Sequence, residues 1–135
     1  MTRPLLNIPS CEVETLRLSV SKDAVVVLEG TLTMRDPGER MTPFLRAVHE
    51  AAVNERRREL QVDVTKLTHV NSSSLFVFLD WARWIAAEPV DQRYVLHFQT
   101  RPGVAWQQLT LPTMQRICAG YVKLSVRTSM EQHDR

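Results

Sequence analysis

The chain has 135 residues, 44% of them hydrophobic and 24% charged, with a net charge of +2. That length suits one domain of the usual ~100–150 residues and is enough to bury a core without disulfide or metal staples. The near-neutral balance excludes a dedicated nucleic-acid binder, which concentrates a larger basic excess, and four glycines with seven prolines exclude collagen-like and low-complexity chains.

Residues 1–10 are interrupted by proline and aperiodic, so they read as a loose lead-in. Arg127 onward reads as a polar tail, leaving one domain with a core of about 12–126. From Glu12 to Val20 apolar Leu16, Leu18 and Val20 alternate with polar Thr15, Arg17 and Ser19, the pattern of one half-buried strand. Ser21-Lys22-Asp23 supplies a turn. The apolar run Ala24 to Leu28, continuing past Gly30 toward Thr33, predicts the second strand of a hairpin. Asp36-Pro37-Gly38-Glu39 has capping-box spacing, and Thr42-Pro43 offers a second cap. Phe44, Leu45, Val48, Ala51 and Ala52 then recur at helical spacing into a helix ending in Arg56-Arg57-Arg58, cations that suit a helix C-terminus.

Leu60 to Val64 alternates as another strand, and Thr65 to Val70 reads as a short connector. Asn71-Ser72-Ser73-Ser74 offers side-chain oxygens to cap the long apolar run Leu75 to Glu88, which Pro89 closes. Tyr94 to Phe98 predicts a strand. Gly103 to Cys118 is a helical stretch broken near Leu111-Pro112 and capped by Gly120, and Tyr121 to Val126 is a last strand. The order ββαβαβαβ predicts an α/β domain, a mixed sheet flanked by helices joined by parallel crossovers.

Little in the chain points to catalysis. Glycines at 30, 38, 103 and 120 build neither a dinucleotide fingerprint nor a phosphate-cradling loop, and no metalloprotease or nucleophile-elbow motif occurs. His49, His69, His97 and His133 are scattered, and His69 and His97 read as satisfied polar side chains. Cys11 and Cys118 have no metal-ligand spacing. No catalytic residue, metal or cofactor is therefore expected. The apolar run before Cys11 is far shorter than the ~7–15 residues of a signal segment, and no run approaches the ~18 residues of a membrane span, so a cytoplasmic protein is expected.

The second long helix is the informative element. A 100° wheel places Leu75, Phe78, Leu79, Ala82, Ile85 and Ala86 on one side as the core stripe. The opposite side carries Phe76, Val77, Asp80, Arg83, Trp84 and Ala87, with Trp81 at the boundary. Phe76, Val77, Asp80 and Trp84 are thus candidates for a partner surface, since a surface helix needs no such apolar cluster facing away from its sheet. Cover by the tails or the third helix, or a wheel rotated by one residue, remains the alternative.

The string from Val62 through Asp63-Val64-Thr65 to Val70-Asn71-Ser72-Ser73-Ser74-Leu75 resembles the signature of the STAS domain, named for sulphate transporters and anti-sigma-factor antagonists. Leu28-Glu29-Gly30-Thr31-Leu32 is similar to the strand ending in glycine of that family, and the element order matches over nearly the whole chain. Asn71 stands where the family has aspartate and keeps the capping oxygen without the charge. Ser74 stands where it has glycine, adding a hydroxyl where the family leaves the surface bare. The chain also resembles a bacterial STAS-like subgroup with Asn-Ser-Ser at this point, in Trp106 and in Gln115-Arg116 as well.

The resemblance implies a non-catalytic switch in bacterial partner-swapping signalling that regulates transcription. In such antagonists the first serine of the motif, here Ser72 with Ser73 second, is phosphorylated by a kinase that is also the anti-sigma factor. A PP2C-type phosphatase removes the phosphate. Asn71 and Ser74 would cap the helix at the switch site. Two other readings stand beside it: a constitutive scaffold or homo-oligomerising subunit that is never phosphorylated, and a small-ligand or nucleotide sensor.

Overall fold

The computed structural model describes residues 3–118 and 120–127. Seven strands and three helices form it: β1 (Cys11–Val13), β2 (Leu16–Val20), β3 (Val26–Leu32), α1 (Pro37–Asn54), β4 (Glu59–Asp63), β5 (Leu67–Val70), α2 (Ser72–Ala87), β6 (Val95–Thr100), α3 (Ala105–Ile117) and β7 (Val122–Val126). The sheet runs β1-β2-β3-β4-β6-β7, with β5 also pairing β3. Its first three strands are antiparallel and the remaining pairs parallel, so the domain is α/β with a mixed sheet flanked by helices.

The order differs from ββαβαβαβ by two strands. The alternating stretch Glu12–Val20 breaks into β1 and β2 at a tight turn in which Glu14 takes a φ of +55°, pairing Val13 with Leu16. The expected connector Thr65–Val70 contains β5. Once β4 leaves β3 after Val27↔Asp63, the backbone of Gly30–Leu32 still has free edge groups, and Leu67–Val70 takes them. β3 shifts register between Gly30 and Thr31 to accept this second partner.

Helix boundaries shift too. Of the two caps the sequence offers, α1 takes the first: it starts at Pro37 after Asp36, whose side chain makes no capping hydrogen bond, and absorbs Pro43. The arginine run follows the helix instead of ending it: Arg56 takes a φ of +56°, and the N–H groups of Arg56 and Arg57 close onto the Val53 and Ala52 carbonyls. α3 passes through Pro112 unbroken. The carbonyl that Pro112 leaves without a partner belongs to Gln108, an exposed residue that water can satisfy, while buried Leu111 and Met114 hold the helix down. Gly120 has the expected left-handed turn geometry, with φ +93°. The lead-in is no polar tail: a 3-10 turn at Leu5–Asn7 buries Leu5 and Ile8 in the core, and the Leu5 N–H donates to Glu55 Oε2 at 2.7 Å. The core therefore begins at Leu5, not near residue 12. Most of the expected C-terminal tail, residues 128–135, lies outside the described residues.

Every parallel crossover steps in the same direction across the sheet, and right-handed crossovers of that kind put their helices on one face. The core agrees. Phe78 of α2 meets Phe98 of β6 edge-on at 5.8 Å and stacks on Trp106 of α3 at 6.4 Å, while His49 of α1 contacts Trp84 of α2 at 6.0 Å. Strand residues Leu60, Val62, Leu96, Phe98 and Val122 point into this layer and are buried. Their alternates Glu59, Gln61, Asp63, His97, Gln99, Lys123 and Ser125 form a polar second face in rows fixed by the register, such as Gln61↔His97↔Lys123.

Candidate functional site

The parallel strands β3 and β5 end side by side, and Asn71 joins β5 to α2 there. Its backbone N–H donates to the Leu32 carbonyl at 3.0 Å, extending the β3–β5 ladder by one bond. Its side chain then works in both directions: Oδ1 accepts the Ser74 N–H at 3.0 Å, and Nδ2 donates to the Met34 carbonyl at 3.1 Å. Asn71 thus caps the helix and ties it to the segment leading into α1. An aspartate at this position would lack the amide donor that reaches Met34.

Ser74 corrects the expectation of a third surface hydroxyl. It is fully buried, with its Oγ in reach of Asn71 Oδ1 and the Leu32 carbonyl. Ser72 and Ser73, in the same first turn, are exposed. Their backbone N–H groups belong to the helix positions that have no intrahelical acceptor, the electropositive end of the helix dipole.

Beyond this turn the observed face of α2 is rotated from the wheel by about one residue. Val77 and Trp81 are buried and Ala86 is exposed, so Val77 leaves the candidate partner surface and Ala86 leaves the core stripe. α1 packs against α2 and reaches the Trp84 side of it, where His49 lies 6.0 Å from the Trp84 ring, so the buried sector turns toward α1. Trp84 is half-buried, and the Arg46 guanidinium lies 4.8 Å from the centre of its ring. Trp84→Ala is therefore expected to lower stability by about 2 kcal/mol in urea denaturation, from lost packing and a lost cation–π contact. Unchanged stability would return Trp84 to the partner surface.

Phe76 and Asp80 do lie on the outward face. Phe76 is 60% exposed, and the Asp80 carboxylate pairs with Arg83 at 3.1 Å in solvent. The structure thus brings Ser72, Phe76 and Asp80 together as a ridge, each one helical turn from the next (i, i+4, i+8) and all exposed, with Ser73 beside it.

The buried polar cluster that patterning did not single out joins α1, α2 and β6. The Trp81 indole N–H donates to Tyr94 Oη at 3.0 Å. The Tyr94 hydroxyl then faces His49 Nδ1 at 2.8 Å, and His49 Nε2 faces Glu88 Oε2 at 2.9 Å. Indole is a donor only, so the chain has one direction: Trp81 to Tyr94 to His49 to Glu88, with the histidine proton on Nε2. Burial lowers the His49 pKa more than the Glu88 carboxylate raises it, and burial pushes the Tyr94 phenol up. The four side chains clamp α1 and α2 to the start of the β6 segment. A histidine five residues before the end of α1 and a glutamate at the C-cap of α2 gave no local signal, because the pairing is across helices.

His97 is held by Ser125 Oγ at 2.5 Å and by Gln61 at 3.1 Å on the polar sheet face. His69 is exposed, with Nδ1 3.1 Å from Thr68 Oγ1, and His133 lies outside the described residues. Cys11 and Cys118 are both free thiols, and burial pushes the Cys118 thiol up. Among the described residues no three His, Cys, Asp or Glu side chains are grouped to hold a metal ion, and no helix is long and apolar enough to cross a membrane. Compared with protein-family models, curated proteins and solved structures, the chain matches none.

Proposed function

We propose that this chain is a non-catalytic, phosphorylation-controlled binding switch of the anti-sigma-factor antagonist type, with Ser72 as phosphoacceptor and Ser73 second. The observation that carries this reading is the exposed ridge in which Ser72 stands one turn before Phe76, itself 60% exposed. A phosphate on Ser72 would meet unsatisfied N–H groups at the helix start, so the fold tolerates it. The same group adds about −1.5 to −2 charges beside the apolar anchor, where a partner would have to desolvate it. In a chain whose net charge is +2, that cancels the whole balance at one helix end. The partners implied are a serine kinase that is also the anti-sigma factor and a PP2C-type phosphatase.

Partner capture from the native host, read by mass spectrometry and quantified against tagged wild type, tests the switch. Ser72→Ala should retain the partner and Ser72→Asp should lose it, with circular dichroism unchanged in both. Phe76→Ala should weaken capture by about 1–2 kcal/mol while leaving the melting temperature in place. Equal retention by the two Ser72 variants would overturn the switch in favour of a constitutive scaffold on the same ridge.

A further inference from the structure

On the other side of Asn71, at the carboxyl ends of β3, β5 and β6, lies a cleft of about 620 Å³. That is within the ~300–1,000 Å³ of small-molecule sites, and the carboxyl edge of parallel strands is where such folds present their ligand loops. Its polar lining is Thr33, Thr68, His69, Asn71 and Arg101. Among the described residues no aspartate or glutamate lines it, although the chain carries 15 acidic residues. Arg101 makes no ion pair and no side-chain hydrogen bond among the described residues, unlike Arg46, Arg57, Arg83 and Arg127, which all face carboxylates. An unengaged arginine at the border of a cleft whose described lining has no carboxylate is a receptor for negative charge.

The opposite wall supports the same polarity. α3 begins there, with Gly103 turning the chain at a φ of +84°. Val104 provides no side-chain cap, and Ala105 and Trp106 complete that wall. The volume exceeds what a lone inorganic anion fills, and Val70, Val104 and the edge of Trp106 give the remainder an apolar surface.

We propose that this cleft binds a small organic oxyanion, its phosphate or carboxylate head held by Arg101 with the Thr33 hydroxyl, and its body against Val104 and Trp106. The site does not depend on phosphorylation of Ser72, and its binding is read on unphosphorylated protein. Amide chemical shifts would be followed while inorganic phosphate and then phenyl phosphate are added at constant ionic strength, with sodium chloride as the control salt. Saturable shifts confined to Arg101–Trp106 and Thr68–Asn71 are expected, with phenyl phosphate binding more tightly than phosphate. Arg101→Ala should weaken both by about tenfold or more and Arg101→Lys by less, since lysine keeps the charge without the bidentate fork. Arg101 is exposed, so both variants should retain the wild-type melting temperature. Shifts that rise linearly without saturation, that chloride reproduces, or that persist in Arg101→Ala would overturn the site.

Discussion

Gly30→Ala is expected to cost about 4 kcal/mol or more, a large share of a domain stability of ~5–15 kcal/mol. A methyl on Gly30 would lie 1.9 Å from the Thr15 carbonyl oxygen and 3.1 Å from its carbon. Those are backbone atoms of the β1–β2 turn, so no rotamer change relieves the overlap. The Thr15 carbonyl also accepts the Thr31 N–H at 3.2 Å, and moving the turn breaks that bond. Gly30 itself has a φ of +105°, where a side chain adds strain of its own. Its N–H donates to the Lys66 carbonyl at 2.9 Å just before β5. One residue thus joins the antiparallel and parallel halves of the sheet. Gly103 supplies the internal control: its φ is +84° but nothing lies within 4 Å of an added methyl, so Gly103→Ala should cost only about 1–2 kcal/mol of backbone strain. Urea denaturation of the two variants separates the terms, and a similar small loss in both would show that the β1–β2 turn yields freely.

Tyr94→Phe should cost about 3 kcal/mol while keeping nearly the same volume. The Trp81 indole N–H and His49 Nδ1 would both lose the one oxygen they share, and each buried group left unpaired costs about 1–3 kcal/mol. The loss should appear in the denaturation midpoint with an unchanged m-value; a cost below ~1 kcal/mol would mean that water replaces the hydroxyl.

The same clamp sets a pH dependence. His49 has a folded pKa below its ordinary value of 6.5 because desolvation is the largest influence on it. Below that value the unfolded chain takes up a proton that the folded chain refuses. Stability is therefore fully present above 6.5 and falls as the pH drops toward the lowered folded pKa. The limiting slope is about 1.4 kcal/mol per pH unit. Denaturation midpoints should decline between about pH 7 and 5.5, and His49→Gln should remove that part of the slope. A slope unaffected by His49→Gln would place the titration elsewhere.

Elements with one clear periodicity were legible in the residues: the β2–β3 hairpin, β4, β6, β7 and the end of α2 before Pro89. Segments with an ambiguous or broken pattern were not. The alternation from Glu12 to Val20 slips by one residue at Glu14-Thr15, but that turn has neither glycine nor asparagine to mark it, so β1 and β2 read as one strand. In β5 only Leu67 is fully buried, while Thr68 and His69 are exposed, which leaves no period for a strand to show. α2 is apolar on more than half its circumference, so a wheel has no unique minimum. Where its apolar sector falls depends on its tertiary neighbours, α1 among them, which cover Trp84 in part. The candidate ridge was therefore half legible: Ser72, Phe76 and Asp80 are exposed, while Val77 and Trp84 turn inward.

Local patterning alone decides the α/β class, most element positions and the capped serine turn, because these depend on spacing between near neighbours along the chain. The placement of all three helices on one face, the rotation of α2, the clamp from Trp81 through Tyr94 and His49 to Glu88, and the cleft around Arg101 are decided only on assembly. Each depends on residues tens of positions apart: His49 meets Tyr94 and Glu88 across |i−j| of 45 and 39. A periodic signal averages over one or two turns of chain and contains no information about such separations. What selects them is packing a limited apolar surface against one face of the sheet while pairing every polar group carried inward with it.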